Sequence, residues 1–269
     1  MKNFLFYVGN ARAGSTWLYG ELNARGDCDL GPIKEHFLFQ DFTMFPSFNK
    51  EHYFGFYQQL SNPDHILLSG DMSPTNAYAT HDQLIWYKQK MEEHNFNVLP
   101  VMTLRDPIEQ VVSLTKLNKT VNTAVADGKA SFDEPQSLAA FMSTVKFNSV
   151  EVSVDDVLSH GLPPFEEGVI PWMTTVENCE NVFGKLHINF YEQYFTQQSL
   201  TKMFEYLKLS YVPMNFSQKV FTFGSDNNLL NDERQVVYEK YPFYKENYQF
   251  AIDRFGKEFI ESIWWTPNK

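Results

Sequence analysis

Four short apolar runs punctuate the chain: FLFYVG at 4–9, HILLSG at 65–70, NVLPVMTLR at 97–105 and KLHINFY at 185–191. Each is bounded by turn or polar residues and reads as a buried strand. Helical patterns lie between them. GSTWLYGELNARG brings Trp17, Leu18 and Leu22 near one face and ends in Gly26, and THDQLIWYKQKMEEHN carries Leu84, Ile85, Trp86 and Met91 on a polar background. Strands alternating with helices predict an α/β fold, a parallel β-sheet flanked by helices on both faces in a three-layer sandwich. The stretch at about 118–170 is more polar, with scattered Gly and Pro and no strand pattern. It reads as an insert of helices and loops, either a recognition element or a plain solvent-exposed excursion. From YEQYF onward the pattern is that of amphipathic helices whose aromatics are assigned to the core.

Composition narrows the class of protein. With 269 residues, 43% hydrophobic and 16% aromatic, the chain can bury a full core, and one domain spanning 1–269 is expected. A net charge of −11 with only five arginines argues against a broad electrostatic grip on nucleic acid, so any anion must be held by local groups. Cys28 and Cys179 form no disulfide framework and no zinc-type cluster, which suits a reducing, cytoplasmic setting. The seven histidines show no metal-ligand spacing, so no metal is expected. No run of 18 apolar residues is present, and no transmembrane segment is expected.

The first strand pattern runs into YVGNARAGSTWL, Tyr7 to Leu18. Gly9 and Gly14 have the spacing of a GxxxxGK[ST] phosphate loop, but Ser15 stands where the lysine belongs and Arg12 lies inside the loop. Backbone N–H groups of a glycine loop that opens a helix make an anion site, reinforced by the helix N-terminus. Arg12, Ala13, Gly14, Ser15 and Thr16 are therefore candidate anion-binding residues, and Arg12 can embrace an oxyanion through two N–H groups. Without the lysine, a 5′-phosphate with a short anionic extension fits better than a triphosphate. A glycine turn with a solvated arginine is the bland alternative. A second feature weighs against it: in RDPIEQVVS, Arg105 ends an apolar strand and Ser113 follows eight residues later on a helix, so both can approach a second anion.

This pair of motifs resembles the sulfotransferases that use 3′-phosphoadenosine 5′-phosphosulfate (PAPS). GNARAGSTWL is similar to their GxPKSGTTWL loop, which holds the 5′-phosphosulfate, and RDPIEQVVS to their RxPxxxxxS element, which holds the 3′-phosphate. KEHFLF at 34–39 resembles the KExHFF-like strand of the carbohydrate branch, GDMSPTNAY at 70–78 their EKSPxY segment, and INFYEQYF the later vlxYEdl stretch. The resemblance implies a P-loop-like domain that transfers a sulfuryl group from PAPS, leaving PAP, to a small-molecule or glycan acceptor. It implies donor binding by Arg12, Ala13, Gly14, Ser15, Thr16, Trp17, Arg105 and Ser113. Two departures stand out. Arg12 replaces the loop lysine, as in the PRSGTT loop of the tyrosylprotein branch, and Met72 replaces the lysine of EKSPxY.

An in-line displacement of this kind needs a base for the acceptor, and Glu35 and His36 are the two candidates, with Arg12 as the catalytic cation. Neighbours on a strand point to opposite faces, so one of the two is expected in the cleft. The carbohydrate enzymes use a glutamate and the cytosolic ones a histidine in KTHLP. A buried ion pair of Glu35 with Lys34 or Arg12 is the structural alternative. Lys34 stands in for the missing cation, and Ser73 is a candidate contact for donor or acceptor. Two competing readings remain, a P-loop kinase and a nucleotide-binding protein without turnover, for which Met72 is the warning.

Overall fold

The computed structural model describes residues 1–36, 38–39, 50–129, 151–160, 172–214, 216 and 229–267. They group into two compact units, Met1–Arg105 with Trp172–Lys219, and Asp106–Pro171 with Val220–Lys269. The strands are β1 (Lys2–Tyr7), β2 (Leu68–Asp71), β3 (Phe96–Leu104) and β4 (His187–Phe190). Helices α1 (Ser15–Asn23), α2 (Lys50–Leu60) and α3 (His81–Glu93) precede β3, with a 3₁₀ turn at Pro74–Tyr78. After β3 come α4 (Pro107–Ala126), α5 (Val154–His160) and α6 (Trp172–Phe183), and after β4 come α7 (Tyr191–Tyr194), α8 (Gln197–Leu207), α9 (Asn231–Lys240), α10 (Pro242–Phe255) and α11 (Lys257–Ile263).

The first unit holds the sheet. All strand pairs are parallel and the order is β2-β1-β3-β4. The chain leaves β1 toward β2 and returns on the other side to β3, so the loops after β1 and β3 diverge. Open α/β sheets bind ligands at such a switch point, outside the carboxyl ends of the strands. Side chains alternate along β1. Phe4 and Phe6 meet one layer, Tyr57 of α2 at 4.8 Å, Tyr87 of α3 at 4.6 Å and Phe183 of α6 at 6.0 Å. Leu5 and Tyr7 face the other layer and join Leu99 and Val101 in a cluster with Trp17, Leu18 and Leu22 of α1 and Leu200, Met203, Phe204 and Leu207 of α8. Both faces of the sheet are thus covered, which is why the strands read as continuous apolar runs.

Two local features follow from geometry. Pro100 sits inside central strand β3, where a missing N–H normally breaks a ladder. The Val101 carbonyl accepts the Val8 N–H at 2.9 Å, so Val101 faces β1 and Pro100 faces the β4 side, where pairing begins only at Val101↔His187. No ladder bond is lost. In α3 the buried residues are Leu84, Tyr87 and Met91, and Ile85 and Trp86 lie 38% and 37% exposed. Spacing of three and four residues selects the former set as the buried face, so of the four apolar residues read in this helix only Leu84 and Met91 belong to it.

In the second unit, Asp106 caps α4, accepting from the N–H groups of Ile108 at 2.9 Å and Glu109 at 3.1 Å, with Pro107 in the first turn. It also accepts from the Tyr248 hydroxyl at 2.7 Å and the Trp265 N–H at 2.8 Å. Burial pushes its carboxyl above the usual range, and four donors compensate the buried oxygens. The polar stretch expected at 118–170 begins as the last turns of α4 and includes α5, tied by the Lys119–Asp156 ion pair at 2.9 Å. Residues 130–150 and 161–170 of it lie outside the described set.

Candidate functional site

The glycine loop leaves the end of β1 at the switch point. A Cβ on Gly9 would lie 2.5 Å from the Tyr7 ring and 2.7 Å from the backbone nitrogen of Thr103 on β3. Only glycine lets the loop start this close to the neighbouring strand. Gly14, at φ 85°, is the left-handed cap of α1, and no side chain caps the helix, so its first N–H groups open toward the loop. Arg12 also adopts a left-handed backbone, φ 67°. For a residue with a Cβ that costs about 1–2 kcal/mol, a strain found where function over-determines the backbone. Gly9→Ala should therefore cost about 1–3 kcal/mol or more by overpacking against backbone, read as a lower urea midpoint, together with loss of anion binding. An unchanged midpoint would show that the loop can shift to accept a side chain.

Arg105 at the end of β3 reaches under this loop. Its Nη1 donates to the Arg12 carbonyl at 2.8 Å, and its guanidinium lies 4.4 Å from the centre of the Tyr191 ring at the start of α7. Tyr191 is also the nearest side chain to the Cα–Cβ direction of Gly14, at 3.3 Å. Two guanidiniums and one aromatic face thus gather at the carboxyl ends of β1, β3 and β4. Burial first, and the charge of Arg105 second, pull the Arg12 guanidinium down to about 10. It stays a cation at neutral pH, and a bound anion would relieve the like-charge contact. Sequence reading places Tyr191 with the C-terminal aromatics of the core; its position directly after a strand is the available signal of a site residue.

Ser15 and Ala13 are buried, Thr16 is half-buried, and Trp17 packs against Tyr194 at 5.7 Å and Phe195 at 5.1 Å. The Trp17 ring thus anchors α1, while the backbone of 13–16 presents N–H groups. Ser113 is buried on α4, in the second unit.

The described residues of KEHFLF, 34–36 and 38–39, form no strand; Phe37 lies outside the described residues. Residues 34–36 instead run alongside the end of β2, with the Met72 N–H donating to the Lys34 carbonyl at 3.3 Å and the His36 N–H to Ser73 Oγ at 2.7 Å. The alternation still separates the two base candidates. Glu35 pairs with the Lys34 ammonium and keeps its side chain 34% exposed. Burial above all raises the Tyr7 hydroxyl, and the charge of Glu35 adds to that upward shift, so the carboxylate lies near the end of β1. His36 is buried among the rings of Tyr53, Phe56 and Tyr57, at 5.3–5.7 Å, and burial lowers its pKa. Met72 and Ser73 are fully buried.

Among the described residues no group of three or more His, Cys, Asp or Glu could hold a metal ion, and no helix is long and apolar enough to cross a membrane. No family model matches this chain, and no curated protein sequence matches it. Among solved structures the chain is similar to a sulfotransferase domain from the curacin biosynthetic pathway, at 15% identity over 94% of this chain and 97% of that one, with a TM-score of 0.45.

Proposed function

We propose that this chain is a sulfotransferase that moves a sulfuryl group from PAPS to a hydroxyl or amine of a small-molecule or glycan acceptor, in a reducing, cytoplasmic setting. The observation that carries the reading is a lysine-free glycine loop at the β1/β3 switch point, with two guanidiniums, Arg12 and Arg105, gathered at it. That arrangement suits a compact anion with a non-bridging oxygen for Arg12 better than a Mg²⁺-bound triphosphate, whose usual lysine is Ser15 here. PAPS supplies an activated sulfuryl group with PAP as leaving group. The loop N–H groups of 13–16 and the hydroxyls of Ser15 and Thr16 would hold its 5′ end. The assignment of Arg105 and Ser113 to the 3′-phosphate rests on the RxPxxxxxS spacing. Lys34 holds Oε1 of Glu35, leaving Oε2 to accept the acceptor's proton. Single domain, donor, acceptor class and residue roles are all part of this proposal.

PAP should raise the melting temperature by several degrees, since a ligand at a hundredfold excess over its Kd stabilises the native state by about 2.7 kcal/mol. ATP with Mg²⁺ should add little at the same concentration. Equal or greater stabilisation by Mg·ATP would favour the kinase reading. PAP binding with no transfer to any alcohol, phenol, sugar or amine would favour a nucleotide-binding protein without turnover.

A further inference from the structure

We infer that the buried pair Asp71 and Ser73 is a positioning device for the Lys34–Glu35 pair; the inference rests on the reading of Glu35 as the proton acceptor. Asp71 ends β2 and is fully buried. Its Oδ1 accepts the backbone N–H of Ser73 at 2.8 Å and the Ser73 hydroxyl at 2.5 Å. Its Oδ2 accepts the Tyr53 hydroxyl at 2.9 Å, which lies 3.1 Å from the Tyr87 hydroxyl. With its hydrogen directed to Asp71, Ser73 Oγ turns a lone pair toward the His36 N–H at 2.7 Å. One residue before Ser73, the Met72 N–H holds the Lys34 carbonyl. The backbone is therefore clamped on both sides of Glu35, at the residue before it and the residue after it.

The arrangement explains several features together. A carboxylate in the interior is unfavourable unless donors surround it, and here three donors fix it in one orientation. That orientation sets the Ser73 hydroxyl, and the hydroxyl sets residues 34–36, which lie 37 positions away in sequence. The His36 ring, packed among Tyr53, Phe56 and Tyr57, prevents the segment from rotating about the clamp. Glu35 alone of this group keeps its carboxylate partly open. Removal of the Ser73 hydroxyl would leave the His36 N–H without that acceptor and free the chain to carry Glu35 off its position. A displacement of about 1 Å is enough to cost a hundredfold in a positioned reaction. Ser73 is thus a positioning residue in this account, acting through the backbone.

The test compares wild type with Ser73→Ala, alone and in the Glu35→Gln background. Amide exchange resolved to single residues should rise at least tenfold at His36 in Ser73→Ala and stay unchanged across Gly14–Leu18, with the PAP-induced melting shift preserved. Turnover should fall at least tenfold with KM for PAPS within twofold, and Ser73→Ala should cause no further loss once Glu35 is Gln. Tyr53→Phe, which removes one donor to Asp71 and keeps its ring, should move the same readouts in the same direction by less. It carries the test if Ser73→Ala fails to fold. A protected His36 amide, or losses that multiply in the double variant, would overturn the positioning role. Absence of sulfation by the wild-type protein would sink the functional reading instead, and the exchange data alone would then decide whether the clamp exists.

Discussion

Glu35→Gln is expected to lower turnover by roughly 10²–10⁴-fold, the usual contribution of a positioned base, while PAP affinity stays within about twofold. The amide keeps the size of the side chain and its contact with Lys34, so a large loss isolates proton transfer. His36→Asn should behave differently. The His36 ring fills a space among three aromatic rings, and its loss should lower stability while leaving measurable sulfation. The pH dependence of stability should also distinguish them. Burial lowers the folded-state pKa of His36, so the unfolded chain takes up the proton first and stability is lost as pH falls below about 6.5. His36→Asn should flatten that loss. An inactive His36→Asn with PAP binding intact, alongside a nearly wild-type Glu35→Gln, would move the base to His36.

Arg12→Ala is expected to reduce turnover by roughly 10²–10³-fold, the scale seen when one preorganised donor to a developing charge is removed. Donor affinity should fall as well, whereas Arg105→Ala should act mainly on donor affinity. The stability of the unliganded protein should move the other way. Burial and the neighbouring Arg105 both disfavour the Arg12 cation, so its removal should leave the melting temperature equal or higher without ligand. Alanine bears the same left-handed backbone cost as arginine at φ 67°, so the comparison reports the charge. A melting temperature lowered by several degrees, with activity retained, would assign Arg12 a structural role.

The parts of the fold legible in the sequence are those in which one physical effect dominates. The four strands appear because burial on both faces demands uninterrupted apolar runs, and the loop after the first strand is marked by Gly9, where a Cβ would meet backbone at 2.7 Å, and by Gly14 at a left-handed φ. Boundaries shift where hydropathy misleads. β1 runs from Lys2 to Tyr7, shifted from the apolar run at 4–9, and β2 ends on Asp71, a buried acid that no apolar pattern would include. Tyr191 was hidden among aromatics that do pack in the core, such as Tyr194, because ring composition does not distinguish an arginine's partner from a leucine's. The segment at 34–36 is legible as a motif and not as a strand, since its backbone partners are a serine side chain and one main-chain N–H. Ser73 reads as a candidate contact for donor or acceptor and Asp71 carries no signal of its own; their contact with residues nearly forty positions earlier is set by tertiary structure alone.

The most direct measurement is transfer from PAPS carrying a labelled sulfuryl group, with a panel of alcohols, phenols, sugars and amines, in the presence and absence of EDTA. The account predicts a labelled, acceptor-dependent product whose rate is unaffected by EDTA and falls by roughly 10²-fold or more in Glu35→Gln and in Arg12→Ala. Mg²⁺-dependent consumption of ATP with no sulfated product would contradict it.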